Sequence, residues 1–427
     1  MALAAFAVRS GEETRQMQVV CLDDLVPADD DLRRIEALID WDHVRRTAEP
    51  FYRPGGAGRP GLDPAVLVKL ALVLAWRRLP SMRETLRVAA TDVSIRRFLG
   101  FGLTERLPDH STFSHAQTER FADSSVFEQL FTAVLRRCTE AGLVGGRRLV
   151  VDATHIEADA ALRSLRAELA PVAEDGDGDG EMVPDAVAES RPMLALAEPR
   201  TGPTPKRTAS NQTAVSRTDA DAKLRHKPGH RTHLVHRGQV AVDPKARVIV
   251  AVQAERATGG EADCLKDLVT RARFVGHTVS ELAADSGYSS QNAYATLDEL
   301  RTVALIPPQP GAKHPAAEQA RDRVRAATGR DAAFDRQAHA EGAIAELKHH
   351  GAGRARCRGT RLVQLQLLAA ATAINLKRLL SAADAATGGQ TGNPTTSAAT
   401  LLTLIALLTA TLDEIGRLAA TDSSTGS

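Results

Sequence analysis

From Arg148 onward the chain alternates short β-branched apolar runs with amphipathic stretches, and two of those runs end on an aspartate. Arg148-Leu149-Val150-Val151-Asp152 reads as a buried strand that closes on an acid. Residues 239–242 and 246–253, separated by Asp243-Pro244-Lys245, read as a hairpin. A strand over 279–284 runs into Asp285-Ser286-Gly287-Tyr288, and a fifth over 302–306 is stopped by Pro307-Pro308. Helices are expected at 261–274, 290–301, 334–348 and 361–380, with a charged, Ala-rich connection over 309–333.

Strand, strand, strand, helix, strand, helix, strand, helix is the order of the ribonuclease H-like fold, an α/β domain built on a mixed five-stranded sheet. In that topology the first and fourth strands are neighbours, so Asp152 and Asp285 meet at their ends. Glu341 then reaches in from the helix after the fifth strand. Each acid alone is unspecific, because an aspartate at a strand end or a glutamate on a helix is commonplace. Together, three converging carboxylates repel one another unless a cation balances them. Hard oxygen ligands select Mg²⁺ or Mn²⁺. Two such ions about 4 Å apart activate a water or 3′-hydroxyl and stabilise the leaving oxygen of a phosphodiester.

Residues 16–145 read as an all-α N-terminal domain. Asp63-Pro64 is a cap followed by a first-turn proline, Ser81-Met82-Arg83-Glu84 has capping-box spacing, and Pro108-Asp109-His110-Ser111-Thr112 opens another helix. Arg77, Arg78, Arg83, Arg87, Arg96 and Arg97 crowd its polar face. That face suits DNA docking; a solvated bundle surface is the alternative. The α/β domain is expected over 146–380 with an insertion at about 165–217, leaving 381–427 as an Ala/Thr-rich tail.

With 54 Lys+Arg against 53 Asp+Glu the net charge is +1, which at first speaks against a polyanionic partner. The charge is segregated, however. Stretch 171–190 holds seven acids and no Lys or Arg, whereas 200–237 holds nine Lys/Arg, among them Lys223, Arg225, Lys227 and Arg231. The acidic tract lacks the spaced ligands of a calcium loop and reads as an insertion. His226, His230, His233 and His236 have no cysteine beside them, so a phosphate-facing basic segment is favoured over a zinc site. Four scattered cysteines exclude a disulfide scaffold. No apolar run reaches the ~18 residues that span a bilayer, and the start carries no secretory pattern, so the chain reads as cytoplasmic.

Val151-Asp152-Ala153-Thr154-His155-Ile156-Glu157-Ala158, Ala284-Asp285-Ser286-Gly287-Tyr288 and the step from Glu341 to Lys348 resemble bacterial insertion-sequence transposases of the DDE type. The basic run 348–359, Asn375-Leu376-Lys377-Arg378, and Gly58-Arg59-Pro60 and the other N-terminal words above also resemble that family, over about residues 20–380. The resemblance implies Asp152, Asp285 and Glu341 as metal-binding catalytic acids. Lys348, two helical turns after Glu341, would hold DNA, and Arg354, Arg356 and Arg358 lie in the basic run beside it. It implies binding of terminal inverted repeats, metal-dependent cleavage and strand transfer, and double-stranded DNA held by a homodimer or larger assembly. Family members carry a Tyr and an Arg before the glutamate; here the nearest are Phe334 and Arg336, off the usual spacing, which leaves Glu346 as a second candidate behind Glu341. A nuclease of the same fold and a catalytically silent DNA-binding repressor are the competing functions.

Overall fold

The computed structural model describes residues 19, 21–52, 61–167, 214–226, 231–258, 261–310 and 315–388. Lys227, His230, Gly58-Arg59-Pro60, the acidic tract 171–190 and the tail from 389 lie outside the described residues.

Among the described residues seven α-helices come first: α1 (Asp31–Leu38), α2 (Trp41–Ala48), α3 (Pro64–Trp76), α4 (Met82–Ala89), α5 (Val93–Leu99), α6 (His110–Ala116) and α7 (Val126–Glu140). Their starts are set by short polar caps. Asp30, Asp40, Asp63, Asp92 and Asp109 each accept a hydrogen bond from the first turn, and Ser81 accepts one from the Glu84 amide. Every residue of α3 from Ala65 to Trp76 is buried, so this helix is the axis around which the others pack. One of those residues is Lys69. Its ammonium donates to Glu36 at 2.7 Å and lies over the rings of Trp41 and Phe98.

The sheet strands are β1 (Arg148–Glu157), β4 (Lys223–Arg225), β5 (His233–Asp243), β6 (Val248–Arg256), β7 (Glu281–Ala283) and β8 (Val303–Leu305); β2 (Leu165–Ala167) and β3 (Ala214–Ser216) form a separate two-stranded ribbon. The sheet therefore has six strands, where the sequence predicts five. The extra one, β4, continues the row of β6, because Val235 of β5 pairs with Glu157 on one side and Lys223 on the other. Across the sheet, β1 runs antiparallel to β5 and parallel to β7, which is parallel to β8.

Helices α8 (Leu265–Phe274) and α9 (Gln291–Glu299) separate the later strands. The stretch expected as a connection, 309–333, instead carries α10 (Pro315–Arg325) and most of α11 (Ala327–Asp335). The helical path then runs through a π-turn (Arg336–Ala340) into α12 (Glu341–Leu347), a second π-turn and finally α13 (Thr360–Gly388).

α13 packs against α3, α7 and β6, and one hydrophobic core runs from the N-terminal helices through α13 into the sheet. It also closes the outer edge of β6. Gln364 accepts from the Ala254 amide at 2.6 Å and donates to the Val252 carbonyl at 3.0 Å. Asn375, three turns on, accepts from the Ile249 amide at 3.0 Å and donates to its carbonyl at 2.8 Å. Two amide side chains thus do for β6 what a neighbouring strand would. The site of Asn375 is a bulge, where Ala241 pairs with Ala251 but Val242 pairs with Ile249.

Candidate active site

Asp152 is the fifth of the ten residues of β1, and the strand carries on past it to Glu157. In the parallel ladder Val150 pairs with Ala283. Two residues further on, β1 carries Asp152 and the chain leaving β7 carries Asp285, whose charge acts on the Asp152 carboxyl. β7 stops first because Asp285 caps a short turn, accepting from the Gly287 amide at 2.9 Å. Behind this turn Tyr288 is fully buried and donates to Gln239 at 2.5 Å, and Gln239 donates to Glu255 at 2.7 Å. That chain of hydrogen bonds pins the loop carrying Asp285 to β5 and β6.

Glu341 begins α12, with a side chain 52% exposed, and Arg336 bridges it to Asp152: the guanidinium lies 3.4 Å from Glu341 and 3.8 Å from Asp152. Glu346 is engaged elsewhere, by Arg247 at 3.6 Å and by Arg378. Of the two glutamates, only Glu341 shares a partner with Asp152. Burial pushes the Asp152 carboxyl up to about 6, reinforced by the charges of Asp285 and Glu341 and opposed by the Ala153 amide, which donates to it at 2.8 Å, and by Arg336.

Such a cluster fits a divalent cation in donor type, being all carboxylate oxygen, and in electrostatics, since Asp152 carries a burden of negative charge that a cation would relieve. Among the described residues no three His, Cys, Asp or Glu side chains are closed around one point, and Glu341 is turned to Arg336.

A cationic zone adjoins the acids. His155, three residues along β1, accepts from Arg225; burial, Arg225, Arg237 and Lys348 together lower it to about 4, so its ring is neutral at pH 7. Lys348 is exposed on α12's continuation. Beyond His155 the strand end is joined by the 353–355 segment, where the Glu157 amide donates to Gly353 at 3.1 Å and the Ala355 amide to Glu157 at 2.7 Å. That contact forms one wall of an open groove lined by Arg163, Arg231, Arg354 and Arg358, with Arg358 3.4 Å from Asp159.

Other expected DNA contacts are placed differently. Arg356 alternates with Arg354 and Arg358 in sequence but turns inward: it donates to the carbonyls of Leu79 and Pro80 at 3.1 and 3.2 Å. Its guanidinium therefore lies toward the N-terminal helices and away from the groove of Arg354 and Arg358. Arg83 and Arg87 are exposed on α4, with Arg87 paired to Glu84 and Arg83 3.1 Å from His110. Lys223 stands on β4 with Arg225. Arg96 and Arg97 are structural, the first capping the Ala90, Gly102 and Glu105 carbonyls, the second paired with Asp23 and Glu36. Among the described residues the histidines do not gather around one point. His236 is buried 2.9 Å from Asp219, while His226 faces Thr232. Sequence reasoning missed Gln239, which stands at the first position of the strand read over 239–242 and carries no motif.

A mixed sheet with an aspartate on one strand, a second just past the end of its parallel neighbour and a glutamate on a packed helix near a groove lined by arginines is the arrangement of nucleic-acid-processing α/β domains. Residues 143–376 match the family described as Transposase DDE domain, and residues 20–119 match a family described as Transposase domain. The first match alone spans more than half of the 427 residues, and the chain belongs to the DDE transposases of insertion sequences, with an N-terminal transposase domain ahead of the DDE domain. No solved structure matches the chain. The family implies DNA as partner and a divalent metal ion in its chemistry. No helix among the described residues is long and apolar enough to cross a membrane.

Proposed function

We propose that the protein binds the terminal inverted repeats of its element, cleaves a phosphodiester there and joins the freed 3′-hydroxyl to target DNA. The observation that carries this reading is that Asp285, just past the end of β7, and Glu341 both act on the carboxyl of Asp152 in the neighbouring strand β1, with Arg336 between Glu341 and Asp152. Asp152, Asp285 and Glu341 are the residues that would hold two Mg²⁺ or Mn²⁺ ions. When bound, such ions polarise a phosphodiester and activate the oxygen that attacks it.

The chain's own contribution is placement. The Tyr288–Gln239–Glu255 chain fixes the loop of Asp285, so that two carboxylates are presented from a rigid sheet. Lys348, Arg225 and the neutral His155 ring bind the backbone phosphates next to the acids, and Arg231, Arg354 and Arg358 carry the strand onward along the groove. Exposed Arg83 and Arg87 engage the element end more distantly. The DNA-bound form is a homodimer or larger, because two ends must be joined; this rests on the family and on the reaction. A ribonuclease H-like topology and the three functional divisions at 16–145, 146–380 and 381–427 complete the reading.

The test is a duplex bearing the element end, incubated with Mg²⁺ and a target plasmid. Wild type should nick and join. Asp152→Asn, Asp285→Asn and Glu341→Gln should each bind the duplex as well as wild type and lose at least 10³-fold in nicking, on the order of 4 kcal/mol. Nicking without joining would assign a nuclease, and binding without nicking a silent DNA-binding protein. Nicking that persists in all three variants refutes the site.

A further inference from the structure

Arg336 precedes Glu341 by five residues. In an α-helix, at about 100° per residue, that spacing turns the two side chains about 140° apart. Here they are neighbours because residues Arg336–Ala340 form a π-turn, in which the Glu341 amide donates to the Arg336 carbonyl five residues back. The turn is held at its start. Asp335 accepts from Arg148 of β1 at 2.7 Å, and Arg148 also donates to Glu281 of β7 at 2.9 Å. The helix is thereby anchored to β1, which carries Asp152, and to β7, which leads into Asp285, with the next residue, Arg336, directed at Asp152.

We propose that Arg336 is a positioning residue: a resident counter-ion for the carboxylate cluster that a divalent cation must displace. This rests on reading Asp152, Asp285 and Glu341 as the cation site. The groups facing the guanidinium are Asp152 from β1 and Glu341 from α12, with Asp285 opposite Asp152. A guanidinium is charged at every accessible pH, so it screens these acids whenever no ion is present. It does so at 3.4 and 3.8 Å, whereas a hard divalent ion approaches carboxylate oxygen to about 2.1 Å. Glu341 cannot serve both partners with the same lone pairs. An ion bound through that Glu341 oxygen therefore competes with Arg336, and their like charges repel, so the guanidinium lowers how tightly the ion is held.

Mn²⁺ titration of the full-length protein by calorimetry, without DNA, tests this. Arg336→Gln should bind Mn²⁺ about tenfold more tightly than wild type and melt at a lower temperature in EDTA, because the acids then lack both counter-ions. Arg336→Lys, which keeps the charge but loses the forked geometry, should fall between. A merely structural role would weaken Mn²⁺ binding or leave it unchanged, and either result in Arg336→Gln overturns the proposal. If Arg336→Gln does not fold, Arg336→Lys decides: affinity equal to or weaker than wild type overturns it. Absence of Mn²⁺ binding by wild type, or binding indifferent to Asp152→Asn, would instead remove the carboxylate site itself and the proposal with it.

Discussion

The Asp152 side chain, 17% exposed, keeps its proton up to a pH of about 6. An unfolded aspartate ionises near 3.9, so between those values the folded protein binds more protons than the unfolded chain, and stability falls as pH rises. In metal-free protein the contribution is whole below about pH 4 and gone above about pH 6. Asp152→Asn abolishes this slope. We expect the variant to match wild type at pH 4 and to exceed it at pH 7 in EDTA by roughly 2–3 kcal/mol in urea unfolding. A parallel pH dependence for both proteins would contradict the assigned shift. A second residue-scale expectation concerns Gly351, which sits at φ +93° with the Arg356 guanidinium against its α-carbon. Gly351→Ala forces both a left-handed alanine and a displaced arginine, and should cost about 1–3 kcal/mol by the same measurement. Neither glycine nor arginine announces this in sequence. Arg356 reads like its neighbours in a basic run, and only the fold, which brings Leu79 and Pro80 to it, distinguishes it from Arg354. The choice of Glu341 over Glu346 was similarly open on spacing, because the claimant Arg247 comes from a hairpin turn about a hundred residues earlier.

Elements were legible where burial is heavy. β1 and the β5–β6 hairpin are apolar runs that hardly any other structure could bury, and α3 is capped by Asp63-Pro64 as its sequence indicates. β1 and β5 run longer than the apolar cores that mark them, whereas β7 and β8 are only three residues each, shorter than the runs over 279–284 and 302–306. α10 was not legible: only Ala317 and Ala320 of it are buried, a stripe too small to imprint a helical period on a charged sequence. The π-turn was invisible for a different reason, since it amounts to one residue inserted in a helix. Deleting the exposed Gln337 should convert it to α-helix and leave Arg336 and Glu341 as i,i+4 neighbours. The deletion variant is expected to fold with the wild-type far-ultraviolet circular dichroism and to retain nicking, whereas deleting a residue of the α-helical Glu341–Leu347 segment should abolish it. Asn375→Leu tests α13 as an edge for β6. Two backbone groups of Ile249 lose their partners in a buried setting, so about 2–4 kcal/mol should be lost, measured by urea unfolding.

At the scale of the molecule, a net charge of +1 conceals opposed segments. DNA affinity depends on where cations cluster, and it should fall steeply with salt. Deleting 171–190, with its seven acids, should tighten DNA binding at low salt and matter less at high salt; equal affinities at both would dismiss a competing role for the tract. The shared core makes a second demand. Because α13 packs on α3, α7 and β6 together, the helical and sheet regions should melt in one calorimetric transition, with two resolved transitions contradicting it.

The closed edge of β6 bears on how copies of this chain can assemble. An exposed strand edge is a template on which a second chain can continue a sheet, and proteins that join this way risk open-ended growth. Gln364 and Asn375 occupy that template with side chains of the same molecule. At the other end β8 offers only the three residues Val303–Leu305. At these two edges a second copy of the chain finds little free backbone with which to continue the sheet.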